Sequence, residues 1–155
     1  MIGNCENLDT TRGALMNEWN IGVDIVEIAR FQQLDYQSNK QFYTRVFTPS
    51  EIKYCLSFSD PAPHFAANFA GKEAVYKAVS MFYEIKINKI EILRDEKASP
   101  IVNLHLDPKE KLQPLNVKVS LSHSFSHAIA FAIAYRPAKL SNTNTKPEAK
   151  SSHEL

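Results

Sequence analysis

The sequence predicts an α+β domain in which a small antiparallel sheet packs on a long helix. An alanine-rich segment, residues 64–82, has the composition and length of a long helix. One strand-like segment precedes it, and several others are grouped after it. Because strands and helices are grouped along the chain rather than strictly alternating, this order favours an α+β arrangement.

The first part of the chain begins with a strand and continues with helices. Residues 20–25 form an apolar run around one glycine and one aspartate, which is typical of a short strand. We expect a helix over residues 26–34, where isoleucine and phenylalanine fall on one face, and a second helix over residues 39–46.

The clearest helix start in the sequence is the segment TPSEIKYCLS. Thr48 is the expected N-cap, Pro49 occupies the first helical position, and Glu51 can close a capping box. Two prolines then interrupt the chain before the long helix over residues 64–82. The alanines of this helix allow neighbouring backbones to approach closely.

Most of the strands are expected in the second half of the chain. Isoleucines within residues 85–92 indicate a strand with one irregularity, and an alternating strand follows the turn RDEKAS around residues 101–103. Asp107 and Pro108 should open a short helix. The segments VKVSLSHS and HAIAFAIAY are expected to form an antiparallel pair joined near residues 125–126.

Length and composition suit one domain, since the chain has 155 residues and is 44% hydrophobic. We expect the folded domain to span residues 19–136. Residues 1–18 are expected to form a flexible extension, and the polar residues 137–155 a disordered tail.

Charge and targeting signals exclude several classes of protein. The formal net charge is +1, which provides no general attraction for nucleic acid. No apolar run is long enough to span a membrane, and the N-terminal residues lack the apolar core of a secretory signal. Cys5 and Cys55 have neither metal-site spacing nor a disulfide framework, so we expect a cytoplasmic protein.

Two carboxylates are the first candidates for chemistry. Asp24 ends an apolar run, where a carboxylate is costly unless it is paired, hydrogen-bonded or bound to metal; it could cap the following helix instead. Glu73 lies within the long helix and could simply pair with Lys77 on a solvated face. Alternatively, Asp24 and Glu73 together would suit Mg²⁺ and a ligand phosphate, with Lys72 and Lys77 neutralising further phosphate charge.

A third candidate is the segment SLSHSFSH. Ser122, His123 and Ser124 end a predicted strand and could line a ligand-binding edge near the same phosphates, or belong to an ordinary hairpin with a solvated histidine. No serine lies in a nucleophile elbow, and neither a zinc-protease motif nor a phosphate-binding P-loop is present.

Basic residues are spread over the early helices. They could be ordinary helix surface or a docking face for an acidic protein, where such charge mainly raises the rate of association. These residues are Arg30, Lys40, Arg45 and Lys53.

Taken in order, three segments resemble the holo-acyl-carrier-protein synthase family of 4′-phosphopantetheinyl transferases. They are GVDIVEIARF at residues 22–31, FAGKEAVYKA at residues 69–78 and VSLSHS at residues 119–124. The resemblance covers about residues 20–135 and implies a 4′-phosphopantetheinyl transferase-like fold. It also favours the chemical interpretation of the two carboxylates over the structural one.

The resemblance implies a reaction that moves the 4′-phosphopantetheine arm of coenzyme A onto a serine of an apo acyl carrier protein, with release of 3′,5′-ADP. Asp24 and Glu73 would bind Mg²⁺, and either could accept the serine proton. Lys77 would contact the phosphates or help to activate the serine, and Lys72 is a weaker phosphate candidate.

The resemblance also implies partners. Ser122 and His123 would lie near the nucleotide part of coenzyme A, and Arg30 would pair with an acidic residue of the carrier protein. Members of the family are typically homotrimers with active sites between subunits.

The chain departs from the family pattern in places. The family usually has an arginine four residues before the motif lysine, where this chain has Asn68. A glycine-rich turn usually follows the motif helix, but residues 79–82 are VSMF. The glycine-lysine-proline turn before the next strand is also absent. These differences keep open the alternative of a degenerate homologue that binds coenzyme A or a carrier protein without catalysis.

Overall fold

The computed structural model describes residues 18–106 and 114–136, and their helices and strands follow one another as the sequence order predicts. The elements are β1 (Trp19–Glu27), α1 (Ala29–Gln33), α2 (Lys40–Val46), α3 (Pro49–Cys55), α4 (Ala62–Val79), a 3₁₀ turn (Ile87–Lys89), β2 (Ile90–Arg94), β3 (Pro100–Leu104), β4 (Asn116–His123) and β5 (His127–Tyr135).

The strands of the described residues form two antiparallel sheets. Strands β1, β5 and β4 lie side by side in that order, and β2 pairs with β3 as a separate hairpin. In the three-stranded sheet, Asp24 lies opposite Ala130, which in turn lies opposite Leu121. The prediction of an α+β fold with a small antiparallel sheet on a long helix is therefore confirmed.

Helix α4 packs across the inner face of the three-stranded sheet. The inward residues of β5 are alanines at positions 128, 130, 132 and 134, all at most 1% exposed. Gly22 of β1 allows the closest approach, because a Cβ atom there would overlap the carbonyl oxygen of Ala74 and lie 2.8 Å from the amide nitrogen of Ala78. These small residues let the helix lie directly on the strands.

A group of aromatic side chains fills the core beneath the early helices. The ring of Phe31 stacks on that of Phe65 at 6.3 Å between centroids, and Tyr43 meets Phe65 edge-on at 4.6 Å. The Tyr43 hydroxyl donates to the carbonyl oxygen of Leu34 at 2.6 Å, so this buried ring keeps its polar end paired.

Several local predictions are confirmed. Thr48 accepts a hydrogen bond from the Glu51 amide at 3.3 Å, and Glu51 accepts one from the Thr48 amide at 2.8 Å, which completes the capping box. Strands β4 and β5 form the expected hairpin, closed by a hydrogen bond from the Ser124 amide to the carbonyl oxygen of His127.

Other boundaries differ from the predictions. The helix expected over residues 26–34 is shorter, because Val26 and Glu27 continue β1 and pair with β5. Asp24 therefore lies within a strand, and its proposed role as a helix cap is wrong. The strand expected over residues 85–92 begins only at Ile90, after the 3₁₀ turn.

Some predictions cannot be compared with the structure. The helix expected at Asp107 and Pro108, most of the N-terminal extension and the C-terminal tail lie outside the described residues. Among the helices that the structure describes, none is both long and apolar enough to cross a membrane.

Candidate active site

Asp24, Glu73 and Lys77 come together where the second half of α4 crosses β1. The Lys77 ammonium donates to Asp24 Oδ1 at 2.8 Å and to the carbonyl oxygen of Val23 at 2.9 Å. Burial, and then the negative charge of Asp24, raise the pKa of Glu73, while Lys77 opposes the shift. Glu73 precedes Lys77 by about one helical turn, so it lies on the same face of α4 as the lysine that contacts Asp24.

Backbone contacts hold this part of α4 against β1. Besides the close approach at Gly22, the side-chain amide of Asn20 donates to the carbonyl oxygens of Lys77 and Ala78, at 3.1 Å each. These bonds use acceptors near the end of the helix, where no intrahelical donor remains. The contacts of Gly22 and Asn20 with the helix backbone thus set the separation between strand and helix, and with it the position of the three charged groups.

The donor set fits a magnesium ion. A cation bound between two partly buried carboxylates would offset both their mutual repulsion and their loss of hydration. Mg²⁺ commonly takes one or two protein carboxylates and completes its shell with water and ligand phosphates. The described residues contain no cluster of three or more potential metal ligands, so a site enclosed by protein groups alone is not indicated there.

A cavity of about 630 Å³ adjoins Glu73. Glu73 and Tyr76 line it from α4, and the chain after α4 contributes Glu84, Lys86 and Lys89. His105 also lines the cavity, whose volume is typical of small-molecule sites. The cavity therefore places basic side chains within reach of a ligand held at the carboxylates.

Lys72 lies in a different environment, and its predicted contact with phosphate is wrong. Its ammonium is 2.6 Å from Glu51 Oε2, both side chains are 0% exposed, and it also donates to the carbonyl oxygen of Ile90. Burial lowers the pKa of Lys72, although Glu51 opposes this shift. The lysine faces the core and ties α4 to α3 and β2.

Sequence reasoning missed Glu51 as the partner of Lys72. The capping-box pattern marked Glu51 as a local helix cap, but no spacing in the sequence indicates that it meets a residue of α4. The carboxylate also accepts from the amide of Ile92 at 2.9 Å through Oε1. Likewise, the expected pairing of Glu73 with Lys77 is replaced by the pairing of Lys77 with Asp24.

Ser122 and His123 are not brought together with the carboxylates within this chain. Both are exposed at the end of β4, whereas Asp24 lies on β1, and β5 separates these two strands. The imidazole of His123 lies edge-on to that of His64 at 6.3 Å, at the other end of α4. Two candidate regions therefore flank α4 on different sides.

Arg30 lies on the exposed surface of α1. Its guanidinium is 5.9 Å from the centre of the Phe69 ring, and it has no carboxylate partner within the described part of the chain. The other basic residues named from the sequence, Lys40, Arg45 and Lys53, are also exposed. These side chains are accessible to a partner.

Comparison with known proteins agrees with this fold and identifies the family. A model of the 4′-phosphopantetheinyl transferase superfamily matches residues 20–132. The chain is 40% identical over 119 residues to a holo-[acyl-carrier-protein] synthase of Chlamydia felis (74% of this chain, 95% of that protein). It is 45% identical over 116 residues to one of Clostridium botulinum (strain Eklund 17B / Type B; 73% and 94%).

A solved structure gives the same result. The holo-[acyl-carrier-protein] synthase of Helicobacter pylori in complex with coenzyme A superposes with a TM-score of 0.61, at 30% identity, over 74% of this chain and 98% of that one. The chain therefore belongs to the 4′-phosphopantetheinyl transferase superfamily, in its holo-acyl-carrier-protein synthase family. The resemblance seen in the three sequence motifs is confirmed.

Proposed function

We propose that this protein transfers the 4′-phosphopantetheine group of coenzyme A to a serine of an apo acyl carrier protein and releases 3′,5′-ADP, in support of fatty acid or polyketide synthesis. The observation that carries the proposal is the convergence of Asp24, Glu73 and Lys77 beside a cavity that Glu73 lines together with Lys86 and Lys89. The relatives named holo-[acyl-carrier-protein] synthase support the same reaction.

In this reaction the serine oxygen forms a bond to the β-phosphorus of coenzyme A, and the bond from that phosphorus to the bridging oxygen breaks. Asp24 and Glu73 would hold Mg²⁺, which when bound would neutralise charge on the pyrophosphate. Lys77, already 2.8 Å from Asp24, would offset the charge that develops on the leaving 3′,5′-ADP. One of the two carboxylates would accept the serine proton.

The proposal includes a homotrimer. The outward face of the three-stranded sheet carries large apolar side chains that are between 45% and 63% exposed: Trp19, Ile21, Val23, Ile25, Ile129 and Phe131. Strand register joins them into one surface, because Val23 lies opposite Phe131 and Ile25 opposite Ile129. A continuous apolar surface of this kind marks an interaction site, and we assign it to further copies of this chain.

Sedimentation tests the assembly. Wild-type protein should sediment at three times the chain mass. Phe131→Glu should yield monomers, because association of the variant would require burial of an unpaired charge in the interface. Ile101→Glu is the matched control, since Ile101 is 42% exposed but lies on β3, outside this face. A wild-type monomer, or equal behaviour of both variants, would contradict the trimer.

The carrier protein would dock on the exposed basic surface around Arg30. A charge-reversing Arg30→Glu variant should raise KM for the carrier more than KM for coenzyme A, because rim charges mainly guide association. Equal increases for both substrates would count against a docking role.

A cytoplasmic location is part of the proposal, and Cys55 is a buried free thiol, as expected in a reducing compartment.

The reaction is tested by intact-mass spectrometry of an apo acyl carrier protein incubated with this protein, coenzyme A and Mg²⁺. The expected result is a gain of one phosphopantetheine mass that is lost with EDTA and with Asp24→Ala. No gain with several carriers, while coenzyme A still binds, would indicate the degenerate homologue instead.

A further inference from the structure

The segment after α4 carries large side chains and no glycine. Residues 79–82 are VSMF, and Tyr83 follows them. The backbone amides of Phe82 and Tyr83 both donate to the carbonyl oxygen of Val79, at 2.8 and 3.1 Å. These two bonds hold the first residues of the segment to the end of the helix.

Arg136, the residue after β5, contacts this segment through its guanidinium. The guanidinium lies 4.9 Å from the centre of the Phe82 ring and 5.7 Å from the centre of the Tyr83 ring. An aromatic face attracts a cation within about 6 Å of its centre, and more strongly where water is partly excluded. The Arg136 side chain is 25% exposed, so a largely buried cation contacts both rings.

Arg136 is in turn anchored to the start of β1. Its backbone amide donates to the carbonyl oxygen of Glu18 at 2.9 Å, and its guanidinium donates to the Glu18 carboxylate at 3.0 Å. Tyr135, the residue before it, pairs with Trp19 in the three-stranded sheet. The guanidinium therefore extends from a position that strand pairing has already fixed.

The chain beyond the two rings lines the cavity beside Glu73. Residues 83–86 form neither helix nor strand, so their position depends on side-chain contacts. Among these contacts are the buried side chain of Ile85 and the rings beside Arg136. The cavity-lining residues of this part of the chain are Glu84, Ile85, Lys86, Ile87 and Lys89.

We propose that Arg136 is a positioning residue: through the rings of Phe82 and Tyr83 it fixes the wall of the cavity that receives coenzyme A beside Glu73. The inference rests on the proposed transfer reaction and names a residue on which its cavity depends. Arg136 does not itself line the cavity, so it acts through the segment rather than on the ligand. A wall held in place before binding need not be ordered by the ligand, so less binding free energy is lost.

Hydrogen exchange tests the contact without reference to activity. Arg136→Gln removes the cation, and the protected amides within residues 80–89 should exchange about fivefold faster or more, because local opening becomes easier. Arg136→Lys keeps a cation and should restore most of the protection. Glu18→Gln is the matched control: it removes the ion pair at a 55% exposed carboxylate but leaves the guanidinium over the rings. Equal effects of Glu18→Gln and Arg136→Gln, or no effect of either, would overturn the role of the rings.

Phe82→Leu tests the same contact from the other side. It keeps an apolar side chain but removes the ring, so exchange within residues 84–89 should also become faster. If the two side chains act through each other, the double variant with Arg136→Gln should exchange about as fast as the more affected single variant. Additive effects of the two substitutions would contradict the proposed contact.

Transfer kinetics test the consequence for the reaction. In Arg136→Gln, KM for coenzyme A should rise about fivefold, while kcat and KM for the carrier protein should change less than about twofold. The reason is that the cavity wall must be ordered on binding, whereas the reacting groups are unchanged. A merely structural role would lower the fraction of active enzyme, and with it the apparent kcat, at constant KM. That result would overturn the positioning role.

Calorimetric titration with coenzyme A separates this inference from the proposed reaction. Arg136→Gln should weaken binding by the same factor as it raises KM, and Arg136→Lys should restore it. Wild-type protein that shows this dependence but transfers nothing to several carriers would contradict the proposed reaction, while the positioning role stands. Unchanged affinity in Arg136→Gln would overturn the positioning role even where the wild type is active.

Discussion

Lys72 and Glu73 are neighbours in the chain, yet they belong to two regions with opposite properties. Lys72 and its partner Glu51 are both 0% exposed, whereas the side chains of Lys77 and Asp24, beside Glu73, are 47% and 19% exposed. Consecutive residues of a helix point about 100° apart, so one faces the core and the next faces the cleft.

The two regions also differ in how well their polar groups are satisfied. Both oxygens of Glu51 accept hydrogen bonds from described residues: the Ile92 amide on one side, and the Thr48 amide and Lys72 on the other. The Glu73 carboxylate accepts none within the described residues. A fully satisfied buried pair holds elements together, while an unsatisfied, partly buried carboxylate is available to a ligand.

The largest effect is expected from Glu73→Gln, which removes the charge and keeps the shape. Turnover should fall by roughly 10³-fold, because a carboxylate proposed to hold Mg²⁺ or to accept the serine proton is lost. The melting temperature should stay the same or rise slightly, since the repulsion with Asp24 disappears. Near wild-type turnover in the mass-spectrometric assay would remove Glu73 from the active site.

Lys72→Met should act on stability instead. It leaves the buried charge of Glu51 without its partner, which costs about 3–5 kcal/mol of unfolding free energy. The double variant with Glu51→Gln should recover part of this loss, because no unpaired charge remains. Urea unfolding measures both variants; a Lys72→Met protein with unchanged stability but weak coenzyme A binding would reverse the assignment of this lysine.

Lys77→Met is the corresponding test in the partly exposed region around Glu73. Its ion pair with Asp24 is half-exposed, so the loss of stability should be at most about 1 kcal/mol. Transfer should nevertheless fall about tenfold or more, because charge near the phosphates is lost. The same urea and transfer assays apply, with Lys97→Met as a control for removing an exposed lysine that does not line the cavity. A stability loss as large as that of Lys72→Met would contradict the claim that the ion pair of Lys77 contributes much less to stability than that of Lys72.

The smallest effect concerns pH and Glu91, at the edge of the buried region. Burial alone would raise the pKa of Glu91, but hydrogen bonds from Thr48 and Asn103 and the charge of His105 outweigh it, so the pKa lies below the ordinary value of 4.5. This stabilisation is present above the unfolded-state pKa and is lost as pH falls through the folded-state pKa. In the Glu91→Gln variant, the free energy of unfolding should therefore fall less steeply as the pH is lowered. If urea unfolding at acidic pH shows the same pH dependence in the variant as in the wild type, this role is contradicted.

Features that depend on a few neighbouring residues could be predicted. The capping box of Thr48 and Glu51, the β4–β5 hairpin and the candidate pair Asp24 and Glu73 all follow from local pattern or motif. The predicted helix start at Val26 was wrong because pairing with β5 outweighs local helical spacing. Lys72 was misplaced because spacing along a helix defines its faces but not which face is buried.

The sequence by itself determined the order of elements, the three motifs and therefore the family, and the small residues that let α4 lie on the sheet. Only the tertiary structure decided that Lys77 rather than Lys72 joins Asp24, and that Arg94 of β2 reaches Asn68 of α4. It also decided that His123 lies across the sheet from the carboxylates. These outcomes depend on packing between segments far apart in the chain, where the partner of a charged group is chosen by burial and distance rather than by sequence spacing.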